Sequence, residues 1–144
     1  MVDTPAAAQE RLQPLTGGRI PESDAPSYRL WQREGGQLPA LIAVPHSGRC
    51  YPAFLLAALR QPERASLRLE DRHVDALALP AAEATQTSLL LADAPRAMID
   101  LNRSADDIDW GMVRGPKPRM TRHSLANRRS RNGLGLVPRR LPGM

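Results

Sequence analysis

The order of apolar segments in this 144-residue chain predicts an α/β fold built on an open mixed sheet. Residues 41–44, 88–91 and 97–101 are short apolar runs bounded by turn-forming residues, which is typical of buried strands. Segments with helical spacing of apolar residues lie between the first two runs. Polar side chains follow two of the runs, at the place where open α/β sheets bind their ligands.

The composition of the N-terminal residues predicts a flexible leader that precedes the folded part of the chain. Residues 1–26 are rich in Ala, Pro, Gln and Gly, and we expect them to be loosely held. The alternation in residues 28–32 predicts a strand, and the turn at 34–37 leads into the strand at 41–44. Residues 27–144 have a length that fits one domain, and we assign them to the N-terminal part of a single domain.

Two helices are expected between the strands. Pro52 suits the first turn of a helix over residues 53–59. A second helix is expected over 67–77, because Leu67, Val74 and Leu77 recur at helical spacing. Pro80 is expected to end or kink this second helix. From residue 104 onward the periodicity fades and Gly and Pro punctuate a long loop.

Composition narrows the classes of protein to consider. Cys50 is the only cysteine, so an intrachain disulfide and a cysteine-rich zinc knuckle are excluded. No run of about 18 apolar residues is present, and the N-terminus lacks the basic and apolar regions of a signal peptide. We expect a cytoplasmic protein without a membrane partner.

The positive charge is concentrated at the C-terminus. Residues 114–144 hold nine of the 20 basic side chains and none of the 15 acidic ones. Such a segment fits a nucleic-acid arm, an anionic-membrane patch, or arginines that face the substrate of an enzyme. Aromatic residues that could stack on bases all lie upstream of it. Nucleic acid is therefore the weaker hypothesis, and a small basic nucleic-acid-binding protein remains the alternative.

His46 is the first candidate functional residue. It follows the apolar run 41–44 directly after Pro45, and Ser47 and Gly48 allow a tight turn beside the imidazole. A histidine at the carboxyl end of a strand points toward the ligand-binding edge of a sheet. The alternative is a histidine that merely ends the strand.

Carboxylates on the second predicted helix could complete a site with His46. Asp71 and Asp75 lie four residues apart, so on a helix they share one face and repel each other unless a cation or base lies between them. A solvated helix edge explains the same pattern. Asp71 or the adjacent Glu70 would be a second metal ligand beside His46, but a third ligand is not visible.

Arg103 and Asn102 are candidates for holding a carboxylate. They follow the predicted strand 97–101, and a guanidinium presents a planar fork that matches a carboxylate. The alternative is a surface ion pair of Arg103 with Asp100 or Asp106.

A series of short motifs resembles the N-formylglutamate amidohydrolase family over about residues 38–140. The motifs occur in order along the chain: Pro45–His46–Ser47–Gly48 with Tyr51–Pro52, Glu70–Asp71 with Val74–Asp75, Pro95–Arg96 with Asp100–Leu101–Asn102–Arg103, Asn127–Arg128, and Gly133–Leu134–Gly135 with Pro138–Arg139. No single motif is decisive, but together they make a strong series.

The resemblance implies a zinc-dependent hydrolase with a zinc-carboxypeptidase-like fold and helices on both faces of the sheet. It would release formate and glutamate from N-formyl-L-glutamate, as in histidine degradation, and the small-molecule substrate could also be another N-acyl amino acid. His46 would be a zinc ligand, and Asp71 or Glu70 the carboxylate ligand, with Asp71 favoured. Asn102 and Arg103 would hold the substrate's carboxylate, with Arg128 and Arg139 as further candidates.

Two departures from the related patterns matter. Related carboxypeptidases place a glutamate three residues after the histidine, where this chain has Arg49. The family also continues into a second half that supplies another histidine ligand and the catalytic base, so the chain is expected to be an N-terminal portion with no catalytic base of its own. His123 lies in the basic loop and is not favoured as the missing ligand. We expect residues 1–144 alone to bind zinc weakly and to turn over little substrate.

Overall fold

The computed structural model describes residues 13–34, 39–116 and 129–140 and contains a four-stranded sheet with three α-helices. The elements are β1 (Leu15–Gly17), β2 (Tyr28–Trp31), β3 (Leu41–Val44), α1 (Ala53–Ala58), α2 (Pro62–Leu69), α3 (Val74–Thr85), β4 (Ser88–Ala92) and a 3₁₀ helix (Arg129–Asn132). The predicted α/β class is confirmed. No helix in this part of the chain has the length and apolar content needed to cross a bilayer.

The sheet is open and mixed, with the strand order β1-β2-β4-β3. β1 and β2 are antiparallel, as are β2 and β4, whereas β3 and β4 run parallel with Val44 opposite Leu91. The three helices form the connection that parallel neighbours require. Because β3 and β4 are parallel, the residues that follow them lie at the same edge of the sheet, and His46 is one of these.

The core forms two apolar clusters. In the first, Ala78 and Ala82 of α3 pack against Val44, Leu89 and Leu91 of the sheet. In the second, α1 and α2 contribute Leu55 and Leu69, which pack with Ala97 beyond β4. In β3, Val44 is buried in the first cluster, whereas Leu41 at the start of the strand is 53% exposed. The expectation of helices on both faces of the sheet stays a prediction.

The predicted helix over 67–77 is wrong as a single element. α2 ends at Leu69, α3 begins at Val74, and His73 between them has a left-handed backbone with φ of 67°. A helix cannot continue through that conformation. In the break, the Asp71 N–H donates a hydrogen bond to the His46 carbonyl at 3.0 Å. A contact distant in sequence therefore decides this boundary.

Pro80 does not end the helix, because α3 continues through it to Thr85. A proline inside a helix costs about 3 kcal/mol, since one backbone hydrogen bond is lost. Ala78 and Ala82 lie on either side of Pro80 and are buried against the sheet, and this burial offsets the cost.

The predicted strand over 97–101 is also wrong. Residues 96–98 form a turn in which the Met98 N–H donates to the Pro95 carbonyl at 2.9 Å. The Asp100 N–H instead donates to the Leu136 carbonyl at 2.7 Å. Ala97 and Met98 of this run pack in the second cluster rather than pairing in the sheet, whereas Leu101 is exposed.

Part of the predicted leader is an ordered strand of the sheet. β1 pairs with β2, and Ile20 just beyond it is 1% exposed. Residues 1–12 lie outside the described residues, and the division of the chain into 1–26 and 27–144 stays a prediction.

Gly48→Ala should destabilise the protein by about 3 kcal/mol, because overpacking against the backbone cannot be relieved by a rotamer change. A Cβ at this position would overlap the Ala94 carbonyl and lie 2.7 Å from the Asp93 carbonyl carbon. The neighbouring Ser47→Ala change is the control. It removes a hydrogen bond of 3.1 Å to the Ala92 carbonyl, and we expect a cost of about 1 kcal/mol. Urea unfolding of the two variants measures the difference, and equal costs would contradict the packing argument.

Candidate active site

His46 lies buried at the carboxyl end of β3 with a carboxylate on each side of its ring. Its Nδ1 is 3.2 Å from Asp71 Oδ2, and its Nε2 is 2.8 Å from Asp100 Oδ1. A neutral imidazole carries only one N–H. One ring nitrogen therefore faces a carboxylate with a lone pair, unless the ring is protonated or a cation lies between the two groups.

Asp100 is the buried member of this centre, with a side chain that is 1% exposed. Its carboxylate accepts hydrogen bonds from Arg96 at 2.8 Å and from the Asn102 N–H at 3.0 Å, and Arg103 Nε lies 3.5 Å away. Burial would raise the pKa of Asp100, but the hydrogen bonds from His46, Asn102 and Arg96 outweigh it and lower that pKa below its ordinary value. Asp100 is therefore held as an anion that can accept a hydrogen bond from the His46 Nε2–H.

Asp71 is the solvent-facing member, with a side chain that is 48% exposed. Asp71 lies in the break between α2 and α3. The hydrogen bond from its N–H to the His46 carbonyl holds the two residues together. Asp71 and Asp75 are therefore not partners on one helix face. Asp75 instead lies 3.4 Å from Arg49.

The His46–Asp71 pair fits part of a zinc site. Two protein ligands of one tetrahedral zinc ion lie about 3.3 Å apart, close to the 3.2 Å between Nδ1 and Asp71. Metal-binding histidines commonly donate the other ring N–H to a carboxylate, and Asp100 occupies that position. In the ranges that the structure describes, no group of three His, Cys, Asp or Glu side chains could hold a metal ion. A third ligand would therefore come from outside those ranges.

Glu70, the alternative ligand, is occupied by two guanidiniums. Its carboxylate, 5% exposed, lies 3.6 Å from Arg49 Nε and 3.4 Å from Arg72 Nε. Burial, and then the neighbouring Glu70 carboxylate, raise the pKa of the Tyr51 hydroxyl. Arg49, which stands where related enzymes have a glutamate, thus ties the loop after His46 to the segment that carries Asp71.

Arg103 and Asn102 lie next to this centre, but the Arg103 guanidinium is already engaged by backbone carbonyls. Arg103 Nε donates to the Leu134 carbonyl at 3.1 Å, and Nη1 donates to the Asn102 carbonyl at 2.8 Å. Asn102 contributes its backbone N–H to Asp100. Arg103 therefore joins Asp100 to the C-terminal segment, and binding of a substrate carboxylate by these two residues stays a prediction.

The other predicted substrate residues lie farther along the chain. Arg139 Nη1 forms an ion pair of 2.7 Å with Asp109, and this hydrogen bond, more than any other group, lowers the pKa of Asp109. Arg128 and His123 lie outside the described residues. The structure thus brings His46, Asp71 and Asp100 together with Arg103, and it pairs Arg139 with a different carboxylate.

Residues 129–140 of the basic segment are docked on the body of the protein. Asp107, which is 5% exposed, accepts hydrogen bonds from the Arg129 N–H at 3.0 Å and the Ser130 N–H at 3.1 Å. The Leu136 N–H donates to the Asp107 carbonyl at 2.7 Å. The acidic turn at 106–109 therefore anchors this part of the segment.

Asp107→Asn should release residues 129–140, because an amide NH₂ would face a backbone N–H donor. We expect tryptic cleavage after the arginines of this segment to become about 30-fold faster, because a local cost near 2 kcal/mol raises the population of the opened segment by that factor. Asp24→Asn is the control, since it changes an exposed carboxylate and alters the net charge equally. Cleavage at the same rate in both variants would show that Asp107 does not anchor the segment.

Sequence reasoning missed Asp100 as a functional residue and considered it only as an ion-pair partner of Arg103. A usable signal was present, because Asp100 is a lone charge within the apolar run 97–101. A buried charge needs partners. Those partners, His46 and Arg96, became visible only in the fold.

The fold and the site together define an α/β protein with a carboxylate–histidine–carboxylate centre at the carboxyl edge of its sheet, where proteins of this class bind their ligands. The family model of N-formylglutamate amidohydrolase matches residues 38–143. The chain belongs to this family of hydrolases, which confirms the resemblance found in the sequence motifs.

A solved structure supports the same family. The N-formylglutamate amidohydrolase from Ralstonia eutropha JMP134 is 38% identical in sequence, with a TM-score of 0.62 over 78% of this chain. The match covers 38% of the Ralstonia enzyme, so this chain corresponds to well under half of that protein. A comparison with curated proteins found no match.

Proposed function

We propose that this chain supplies one side of the active site of a zinc-dependent hydrolase that converts N-formyl-L-glutamate into formate and L-glutamate. The observation that carries the proposal is His46, whose two ring nitrogens both face carboxylates within the residues that the family model matches. The remaining metal ligand and the catalytic base would come from residues outside the described ranges.

His46 Nδ1 and Asp71 would hold the metal ion. A bound zinc ion supplies Lewis-acid activation of a carbonyl and lowers the pKa of a bound water. In the tautomer with the proton on Nε2, the His46 Nε2–H would donate a hydrogen bond to Asp100, which would leave the Nδ1 lone pair directed at Asp71. Arg96 and the Asn102 N–H keep Asp100 in place. The ring is thus oriented before a ligand arrives, which lowers the cost of binding.

Specificity would depend on the two carboxylates of the glutamate part, since the formyl group is small. Arg103 and Asn102 stand beside the centre, and Arg128 and Arg139 are further candidates. Arg139 would have to exchange or share its contact with Asp109 to bind substrate. Because a guanidinium fork recognises carboxylates generally, another N-acyl amino acid is the second candidate substrate.

A hybrid enzyme tests the proposal. Residues 38–143 of this chain replace the matching segment of the Ralstonia enzyme, so that any ligand or base beyond that segment is supplied. We expect the zinc-loaded hybrid to release formate from N-formyl-L-glutamate, and His46→Ala to abolish the release. N-acetyl-L-glutamate and N-formyl-L-leucine test the choice of acyl group and side chain. A folded, zinc-binding hybrid that cleaves only one of these other amides would contradict the proposed substrate.

A further inference from the structure

The docked segment 129–140 is bonded directly to the residue that carries the buried carboxylate of the centre. The Leu136 carbonyl accepts a hydrogen bond of 2.7 Å from the Asp100 N–H. The Leu136 N–H donates a bond of the same length, 2.7 Å, to the Asp107 carbonyl. The two backbone groups of Leu136 therefore join the turn that contains Asp100 to the acidic turn that anchors the segment. None of the motif-based predictions gave Leu136 a role.

Leu136 is the partner that connects Asp100 to a distant part of the chain other than His46. The short-range partners of Asp100 are Arg96, Asn102 and Arg103. These lie within four residues of Asp100 and belong to the same stretch of chain. Arg103 adds a second link to the segment, because its Nε also donates to the Leu134 carbonyl at 3.1 Å. The position of this turn relative to His46 therefore depends on the segment.

Gly135 makes the close approach of the segment possible. It is buried, and a Cβ at this position would overlap the Asp107 carbonyl oxygen and lie 2.8 Å from the Ser130 Cβ. Overlap with a backbone atom cannot be relieved by a rotamer change. The Asp107 side chain also accepts hydrogen bonds from the Arg129 and Ser130 N–H groups. A side chain at position 135 would therefore push the segment away from its anchor.

We propose that the docking of residues 129–140 determines which nitrogen of the His46 ring carries the proton, with Leu136 as a positioning residue that acts through Asp100. The proposal rests on the proposed function, in which Nδ1 is a metal ligand. In the docked state the Asp100 carboxylate lies 2.8 Å from Nε2, which keeps the proton of a neutral ring there and leaves the Nδ1 lone pair for a metal ion.

Release of the segment should favour the other tautomer. Asp100 then loses the bond at its own N–H, and its carboxylate is no longer held against Nε2. The Asp71 carboxylate, 3.2 Å from Nδ1, competes for the ring proton. A proton on Nδ1 occupies the lone pair that a metal ion needs. The state of a segment that contains no metal ligand thus controls the metal-binding nitrogen.

Nitrogen NMR of the three histidine rings in the metal-free 144-residue chain measures this equilibrium, and His46→Gln identifies the His46 signals. At alkaline pH we expect the Nε2–H form to exceed the Nδ1–H form about tenfold, the factor that one charge-assisted hydrogen bond supports. Gly135→Ala and Asp107→Asn should each lower this ratio to about two. Leu136→Val keeps both backbone groups of that residue and should leave the ratio unchanged.

Ile20→Ala tests whether general loosening of the fold moves the ring proton. Ile20 is 1% exposed, and its backbone bonds to Ala25 and Ser23 rather than to the segment. This variant should melt at a lower temperature but keep the wild-type ratio of tautomers. The proposal is overturned if Gly135→Ala and Asp107→Asn keep that ratio, or if Ile20→Ala lowers it as much as they do.

Zinc binding by the hybrid enzyme separates this proposal from the proposed function. Gly135→Ala and Asp107→Asn should weaken zinc about tenfold in the hybrid, the loss typical of a displaced orienting group. A hybrid that binds no zinc would contradict the proposed function, whereas the ring measurement in the metal-free chain would still decide the role of the segment. Thermal melting of each variant verifies that the fold is intact.

Discussion

Asp71→Asn should lower the zinc affinity of the hybrid enzyme more than about 100-fold and its formate release by at least as much, because a neutral amide replaces an anionic metal ligand. Asp71 is the carboxylate that faces His46 Nδ1, at 3.2 Å. Its side chain is about half exposed, so the substitution leaves no buried charge without a partner. We expect the free energy of unfolding to change by less than about 0.5 kcal/mol.

Glu70→Gln is the matched control for this change. Both substitutions convert an acid to its amide, and the two residues are adjacent, but Glu70 faces Arg49 and Arg72 rather than His46. We expect zinc affinity to stay within about threefold, with a loss of stability near 2 kcal/mol because a buried carboxylate contact is removed. Equilibrium dialysis with zinc and urea unfolding measure the two effects. If Glu70→Gln abolished zinc binding and Asp71→Asn spared it, the assignment of the ligand would be reversed.

Asp100→Asn should reduce both stability and metal affinity. The substitution leaves Arg96 without its buried anionic partner, and breaking a buried pair in this way costs about 3 kcal/mol. It also removes the anion that orients the His46 ring, and loss of such an orienting group lowers metal affinity about 10- to 100-fold.

Asp93→Asn separates these two effects. Asp93 also pairs with an arginine at 2.8 Å, but that partner, Arg29, is 39% exposed, and His46 is not involved. We expect a cost of about 1 kcal/mol and unchanged zinc affinity in the hybrid. If Asp100→Asn lowered stability but left zinc affinity equal to that of Asp93→Asn, then Asp100 would not orient His46.

The sequence by itself determined the elements whose signals are local. Residues 41–44 and 88–92 form strands, because short apolar runs between turn-formers bury well in a sheet, and the alternating residues 28–31 form another. His46 was predicted at a strand end for the same reason. Helix α1 begins right after Pro52, as predicted, because proline suits the start of a helix.

Only the tertiary structure decided the break between α2 and α3 and the orientation of the His46 ring. The bond from Asp71 to the His46 carbonyl spans 25 positions along the chain, and the bond from Asp100 to His46 spans 54. Helical spacing alone placed Asp71 beside Asp75, and the apolar run 97–101 alone indicated a strand. Burial of a charge is favourable only when partners compensate it. The contacts of Asp71 and Asp100 with His46 join residues far apart in sequence, so no local pattern contains the geometry of this centre.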